Sequence, residues 1–154
     1  MSIFLYFRND FFIMKTKKEK KLSEEFVKNS VIKYLSSNGW GHFKFGGLRE
    51  HGVDIKAKKQ NYDRYFLIEA KGEGSRREMN ENYFVYSLGQ IITRMTSGGT
   101  TRNYYGLALP DSIAKIALRR IPWQVAKKLL LYVFSVDSKG QVKQNSWQDI
   151  KNKK

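Results

Sequence analysis

A carboxylate and a lysine stand two residues apart near the end of one apolar segment of this chain. Glu69 and Lys71 belong to residues 65–72, whose aromatic and branched side chains predict a buried β-strand. Residues two apart in a strand point to the same face, so the two charged groups should project side by side. Burying them costs solvation free energy unless they are paired or used. Taken alone, the pair fits a structural ion pair as well as a functional site.

A second carboxylate, Asp54, lies in the preceding strand-like segment, residues 52–57. The connection between the two segments, residues 58–64, has the length and the polar composition of a hairpin loop, which predicts antiparallel neighbouring strands. Such pairing can bring Asp54 close to Glu69. Two carboxylates and a lysine that converge at strand ends make a site for a hard cation with a cationic assistant.

Asp54 followed by Glu69-Ala70-Lys71 resembles the motif of the PD-(D/E)XK nuclease superfamily, which has the restriction-endonuclease-like fold. Val53 stands where many members of the family have a proline. The resemblance implies a Mg²⁺ or Mn²⁺ ion held by Asp54, Glu69 and the carbonyl oxygen of Ala70. It also implies that Lys71 orients a metal-bound water or stabilises the charge that develops on the phosphate.

The first predicted helix, residues 23–38, begins with a serine suited to the N-cap. Glu24 lies three and seven residues before Val27 and Val31 and so shares their apolar face, whereas Glu25 points to the flank. Members of the superfamily carry an acidic residue on this stripe, where it helps to hold a metal-bound water. The resemblance implies that role for Glu24. The helix dipole alone would also favour a glutamate in this first turn.

A second amphipathic helix is predicted over residues 82–95, with Gln90 and Arg94 four positions apart beside its apolar stripe. Residues 88–94 resemble the glutamine-bearing helix that follows the E-x-K strand in several branches of the superfamily. The resemblance implies that Gln90 orients the site or the substrate backbone. From the residues alone, a glutamine at such a position is more often a hydrogen-bonding residue at the core boundary.

The charge of the chain points to a polyanionic partner. Its 154 residues include 29 Lys+Arg against 14 Asp+Glu, a formal net charge of +15 at pH 7. Such an excess attracts nucleic acid first, then an anionic membrane surface or the ribosome. The resemblance favours DNA. The basic side chains predicted to contact it follow the E-x-K strand or lie on helices: Arg76, Arg77, Arg94, Lys115, Arg119, Arg120, Lys127 and Lys128.

The order of predicted elements is helix, three strands, helix, strand, helix and strand. The first strand covers residues 42–45, and the strand at 104–109 should run parallel to the Glu69 strand because a long helix connects them. A buried strand follows at residues 130–136, and residues from 143 onward read as a polar, basic tail. This order fits an α/β fold, a restriction-endonuclease-like mixed central sheet of about four to five strands flanked by helices.

Residues 23–154 are expected to form a single nuclease-like domain, preceded by a flexible or ancillary segment at 1–22. Residues 1–12 are apolar but include Arg8 and Asp10, which makes them too short and too charged to span a bilayer. They also lack the features of a signal peptide, and Met14 is an alternative start. The expected location is the cytoplasm, without a membrane partner, and a homodimer is left open.

The chain has no cysteine and two histidines, which excludes disulfides and thiolate metal sites and disfavours a typical zinc site. The sequence therefore predicts a Mg²⁺-dependent endonuclease that hydrolyses phosphodiester bonds in nucleic acid, with DNA as the expected substrate. One alternative is a non-catalytic nucleic-acid-binding protein on the same fold. Another is a structural interaction module whose charge only serves solubility. The complete set of aspartate, glutamate and lysine favours the enzyme.

Overall fold

A computed structural model describes residues 20–45, 52–95 and 103–153. Most of the N-terminal segment predicted at residues 1–22, including Met14, lies outside these ranges. The helices are α1 (Glu24–Ser37), α2 (Arg77–Thr93), α3 (Asp111–Arg120), α4 (Trp123–Leu129) and α5 (Trp147–Asn152). The strands are β1 (Trp40–Lys44), β2 (Ile55–Lys59), β3 (Tyr65–Ala70), β4 (Tyr104–Pro110), β5 (Leu131–Val136) and β6 (Val142–Asn145).

The six strands form one mixed sheet in the order β1-β2-β3-β4-β5-β6. Strands β3, β4 and β5 are parallel, while β1, β2 and β6 pair antiparallel with their neighbours. The α/β class, the mixed sheet and the parallel pairing of β3 with β4 are confirmed. The expected count of about four to five strands was wrong, because the described residues already form a sheet of six.

The missing strand is β6, whose last three residues lie in the segment from residue 143 that the sequence predicted to be a polar tail. It is a short edge strand whose buried residue is an asparagine, so it carries no apolar alternation. The Asn145 side chain donates hydrogen bonds to the Val133 carbonyl oxygen and to Ser135 Oγ, 3.0 and 3.2 Å away. Helix α5 then begins with a capping box between Ser146 and Asp149 and buries Ile150 completely.

The sheet has helices on both faces. Helix α1 covers one face, where Val27, Val31 and Leu35 are fully buried against alternate residues of β2, β3 and β5. Helices α2 to α5 cover the other face and enclose a second apolar cluster. This arrangement buries the central strands on both sides, as parallel strands require. In the described part of the chain, no helix is long and apolar enough to cross a membrane.

Strand β3 shows how this layering places a carboxylate inside the protein. Phe66, Ile68 and Ala70 pack with the α1 cluster, whereas Leu67 packs with the cluster under α2. Because side chains alternate along a strand, Glu69 points to the same side as Leu67, toward α2. A glutamate therefore occupies a core position, with only 2% of its surface exposed.

The strand directions bring the candidate site residues to one end of the sheet. The carboxyl ends of β3, β4 and β5 lie at this end, and the antiparallel β2 begins there. Because Ile55 pairs with Ile68, Asp54 falls beside Glu69. Asp54 directly precedes β2 instead of lying within it, as the predicted strand at residues 52–57 implied. The hairpin inference and the proximity of the two carboxylates are confirmed.

Candidate active site

Asp54 is held at this end of the sheet by two contacts. Its Oδ2 accepts a hydrogen bond from the backbone N–H of Ala70, 2.8 Å away, and its Oδ1 lies 3.0 Å from Lys28 Nζ. Burial raises the pKa of Asp54, but the hydrogen bonds from the Ala70 backbone and Lys28 and one with Glu69 lower it below its usual range. Asp54 is therefore the ionised member of the carboxylate pair at neutral pH.

The pKa of Glu69 is shifted in the opposite direction to that of Asp54. Burial, a hydrogen bond with Asp54 and the negative charge of Asp54 raise the pKa of Glu69 to about 7. The positive charges of Lys71 and Arg94 lower it, but by less. Two carboxyl groups in contact share one proton near neutral pH, because both cannot ionise cheaply at such close range. A divalent cation would remove this restriction by taking the place of the proton.

Helix α2 adds polar groups from its own side of the sheet. Arg94 Nε lies 3.7 Å from Glu69 Oε1, which is too long for a hydrogen bond, and Gln90 lies one helical turn earlier. Among the buried side-chain atoms of the described residues, four have no hydrogen-bond partner, and three of these belong to β3 and the end of α2: Glu69 Oε1, Arg94 Nε and Gln90 Oε1. The fourth is Asn145 Oδ1 in β6. Buried polar atoms are normally paired, so this concentration is typical of a site that a bound ion, water or ligand completes.

Helix α1 brings charged groups from the opposite side of the sheet. Glu24 Oε2 lies 3.9 Å from Lys71 Nζ, and Glu24 Oε1 lies 3.3 Å from Lys28 Nζ. The structure thus brings Glu24 close to Lys71 and Lys28, while Glu25 is exposed. An ionic chain runs from Lys71 through Glu24 and Lys28 to Asp54.

Lys28 is the site residue that the sequence prediction missed. Burial lowers its pKa, but hydrogen bonds with Asp54 and Glu24 outweigh burial and raise the pKa above its usual range. Lys28 therefore stays charged and balances the negative charge of both carboxylates. Its spacing of four residues from Glu24 was a usable signal, because a Glu and a Lys four apart face each other on a helix.

Gly72 fixes α1 against the end of β3. The Glu73 backbone N–H donates to the Leu22 carbonyl oxygen at 2.8 Å, and the Leu22 N–H donates to Glu73 Oε2 at 3.0 Å. A Cβ on Gly72 would lie 2.6 Å from the Glu24 nitrogen and 2.8 Å from the Leu22 oxygen. The missing side chain thus allows the backbones to touch and sets the separation of Glu24 from Lys71.

Gly72→Ala should therefore damage both the fold and the site. Backbone atoms cannot rotate away as a side chain can, so we expect a loss of about 1–3 kcal/mol in the free energy of unfolding. Urea unfolding measures this loss, with Gly41→Ala as the control because open space surrounds Gly41. Equal stability of the two variants would contradict the close contact.

A cleft of about 450 Å³ lies beside Lys71 and Glu24, and neither Asp54 nor Glu69 is among its lining residues. One wall is formed by the start of α1, the floor by the residues after β3 and the other wall by α2. The lining residues are Leu22, Ser23, Glu24, Lys71, Gly72, Glu73, Tyr83 and Tyr86. Lys71 and Glu24 are thus the charged groups of the predicted site that a ligand in this cleft meets first.

Some of the basic residues predicted to contact nucleic acid have partners within the protein. Arg119 Nη2 and Arg120 Nη1 lie 3.8 and 2.6 Å from the carboxylate of Glu81, and Lys127 Nζ lies 4.6 Å above the Trp147 ring. All three side chains remain exposed enough to meet a phosphate. Arg94 differs from the others because the structure places it against Glu69 instead of on the open surface.

The other predicted contact residues, Arg76, Arg77, Lys115 and Lys128, are exposed. The second helix was predicted to begin at residue 82, but α2 begins at Arg77, five residues earlier, and Arg76 is its N-cap residue. The predicted start missed this turn because residues 77–82 are mostly polar and add no apolar stripe.

The described residues contain no group of three or more His, Asp or Glu side chains that could hold a metal ion. Asp54 and Glu69 still fit a hard cation, since they supply carboxylate oxygens in mutual contact and Glu69 Oε1 has no hydrogen-bond partner. Such an ion would need backbone carbonyl oxygen and water as its further ligands, as magnesium sites often do.

Comparisons of this chain with protein-family models, with curated proteins and with solved structures found no match. The function of the Asp54 and Glu69 pair therefore has to be inferred from the geometry of this chain alone.

Proposed function

We propose that this chain is a metal-dependent nuclease that hydrolyses phosphodiester bonds in nucleic acid, with DNA as the expected substrate. The observation that carries the proposal is the position of Asp54 beside Glu69 where β2 begins and β3 ends, with Lys71 at the adjoining cleft. The proposal includes the restriction-endonuclease-like fold and a cytoplasmic location, where such a substrate is found. It is compatible with a homodimer.

Asp54, Glu69 and the carbonyl oxygen of Ala70 would hold Mg²⁺ or Mn²⁺. When bound, the cation lowers the pKa of a coordinated water and neutralises charge on the scissile phosphate. The unpartnered Glu69 Oε1 and the pKa of Glu69 near 7 support this assignment, because a carboxyl group that gives up its proton readily at pH 7 to 8 can accept a cation there.

The remaining residues have separate roles in the proposed reaction. Lys71 donates a hydrogen bond to the attacking water or to the phosphate oxygen that gains charge. Glu24 accepts a hydrogen bond from a water at the mouth of the cleft and positions Lys71 through their contact at 3.9 Å. Gln90 has a free Oε1 with which to orient the site, and Lys28 and Arg94 compensate the carboxylate charge from the two sides.

The alternative is a nucleic-acid-binding protein without catalysis. The observation that favours it is the pairing of Asp54 with Lys28 and of Glu69 with Arg94. In a purely structural network, those cations would satisfy the carboxylates permanently and leave no place for a metal ion.

Asp54→Asn separates these functions. We expect the parent protein to nick supercoiled plasmid or cut single strands with Mg²⁺ or Mn²⁺, and the variant to lose more than about 100-fold in rate while its DNA affinity is kept. Asp63→Asn is the matched control, because Asp63 is exposed in the loop between β2 and β3.

DNA binding without cleavage in any divalent ion would support the non-catalytic protein. Failure to bind DNA even at low salt would support the interaction module. If Asp54→Asn cleaves at the parent rate, any nuclease site lies elsewhere.

A further inference from the structure

The cleft beside Lys71 and Glu24 has an aromatic wall formed by Tyr83 and Tyr86. We infer that Tyr86, supported by Tyr83, stacks on an unpaired base of the substrate, so that the preferred substrate is single-stranded or locally unpaired nucleic acid. This inference rests on the proposed function and names the substrate class of the same site.

The exposure of Tyr86 is the first observation. Its side chain lies 69% exposed on α2 although it lines the same cleft as Lys71 and Glu24. Tyr83 lies three residues earlier, on the same side of the helix, and packs partly against the core. One ring is therefore anchored while its neighbour presents aromatic surface to a ligand. Nucleobases stack on such rings with little dependence on sequence.

The size of the cleft is the second observation. A volume of about 450 Å³ falls within the range of sites for small molecules. It has the size of one or two nucleotides. The opposite wall cannot easily retreat, because hydrogen bonds between Leu22 and Glu73 hold the start of α1 in place.

A charged path away from the cleft is the third observation. A neighbouring cavity of about 820 Å³ shares Leu22, Ser23 and Glu73 with the cleft and is also lined by Lys20, Lys21 and Lys115. Proteins bind single strands without reading their sequence by placing cationic groups along the backbone next to an aromatic platform. Glu73, Asp111 and Asp137 line the same cavity, so its lining has no net positive charge and the three lysines alone would contact phosphate.

Helix α2 also provides the control. Val85 is 52% exposed next to Tyr86, but it is not among the residues that line the cleft. Val85→Ala removes an exposed apolar side chain from the same helix without changing the aromatic wall. Tyr86→Phe keeps the ring and removes only the hydroxyl group.

The test measures equilibrium binding of an oligothymidylate and of a duplex of the same length, in Ca²⁺ to avoid turnover. Tyr86→Ala should weaken single-strand binding by about 5- to 100-fold. Duplex binding should change less than about twofold, since paired bases stack on one another and offer no free face to the ring. Tyr86→Phe and Val85→Ala should match the parent protein.

An oligonucleotide with abasic sites supplies the second arm. It should bind the parent protein more weakly than oligothymidylate does, and this difference should shrink in Tyr86→Ala because the missing base and the missing ring belong to one contact. Metal-dependent plasmid cleavage is measured in parallel.

Each outcome separates the inference from the function on which it rests. Equal single-strand affinity of Tyr86→Ala and the parent, with cleavage intact, overturns the stacking inference and leaves the nuclease proposal standing. Loss of affinity in Tyr86→Phe also overturns it, because the hydroxyl group would then be the contact. Single-strand binding that depends on the ring without any cleavage supports the base contact and contradicts the nuclease. No binding of either oligonucleotide at low salt overturns both.

Discussion

Lys71→Ala should lower the single-turnover rate of DNA cleavage by at least about 100-fold while divalent cations bind as tightly as before or more tightly. Lysine has no lone pair to offer a cation at neutral pH, so its removal takes away no ligand. It does remove a positive charge that lowers the pKa of Glu69 and would repel the cation. DNA affinity should fall little, because one phosphate contact among many is lost.

The measurement pairs calorimetric Mn²⁺ binding with single-turnover cleavage. Lys33→Ala is the control, since Lys33 is exposed on α1 and is absent from the cleft lining. Glu69→Gln should lose both metal binding and cleavage. If Lys71→Ala loses metal binding as severely as Glu69→Gln, or if neither variant changes cleavage, the two residues have only structural roles, through their contacts with Glu24 and Arg94.

The proximity of Asp54 and Glu69 was predictable because it depends on local rules. Alternation along a strand and the length of the 58–64 connection together fix which residues of β2 and β3 face each other. The structure shows the resulting pairing, with Ile55 opposite Ile68. The position of Glu24 followed in the same way from the helical period and the N-cap at Ser23.

The partners of these carboxylates could not be predicted from such rules. Lys28 and Arg94 lie on helices that cover opposite faces of the sheet, and both reach the same end of it. Which long side chain extends to a buried charge depends on tertiary packing and electrostatics. For the same reason Arg94 was assigned to the DNA surface. Strand β6 was missed because an edge strand can be stabilised by hydrogen bonds of one asparagine without an apolar pattern.

Glu69→Gln should make the metal-free protein more stable at pH 8 while it removes activity. The folded-state pKa of Glu69 is raised from 4.5 to about 7. Between these values the folded protein keeps a proton that the unfolded chain has lost, so the free energy of unfolding falls as pH rises. A pKa shift of this size sets an upper limit of about 3 kcal/mol on the loss in the free energy of unfolding.

Glutamine resembles the protonated carboxyl group and does not titrate. The free energy of unfolding of the variant should therefore lack this pH-dependent loss. It should exceed that of the parent by about 2 kcal/mol at pH 8 and match it at pH 5 to within about 0.5 kcal/mol. Asp54 contributes with the opposite sign, since its lowered pKa adds stability that is lost only as pH falls into the acidic range. Its contribution is the same at pH 5 and above if the variant leaves its contacts intact.

Urea unfolding in EDTA at pH 5 and pH 8 measures these differences, with Glu25→Gln as the control because Glu25 is exposed on α1. Adding Mn²⁺ at pH 8 should stabilise the parent and leave Glu69→Gln unchanged, because a cation that binds only the folded state stabilises it by mass action. A structural ion pair gives the reverse pattern. If Glu69 is held ionised by Arg94, Glu69→Gln leaves a buried guanidinium without its partner and destabilises the protein at pH 8. If Glu69→Gln instead stabilises the metal-free protein, the buried Glu69 carboxylate lowers the stability of the fold. A metal site has this property, because its carboxylates are held close together for the cation.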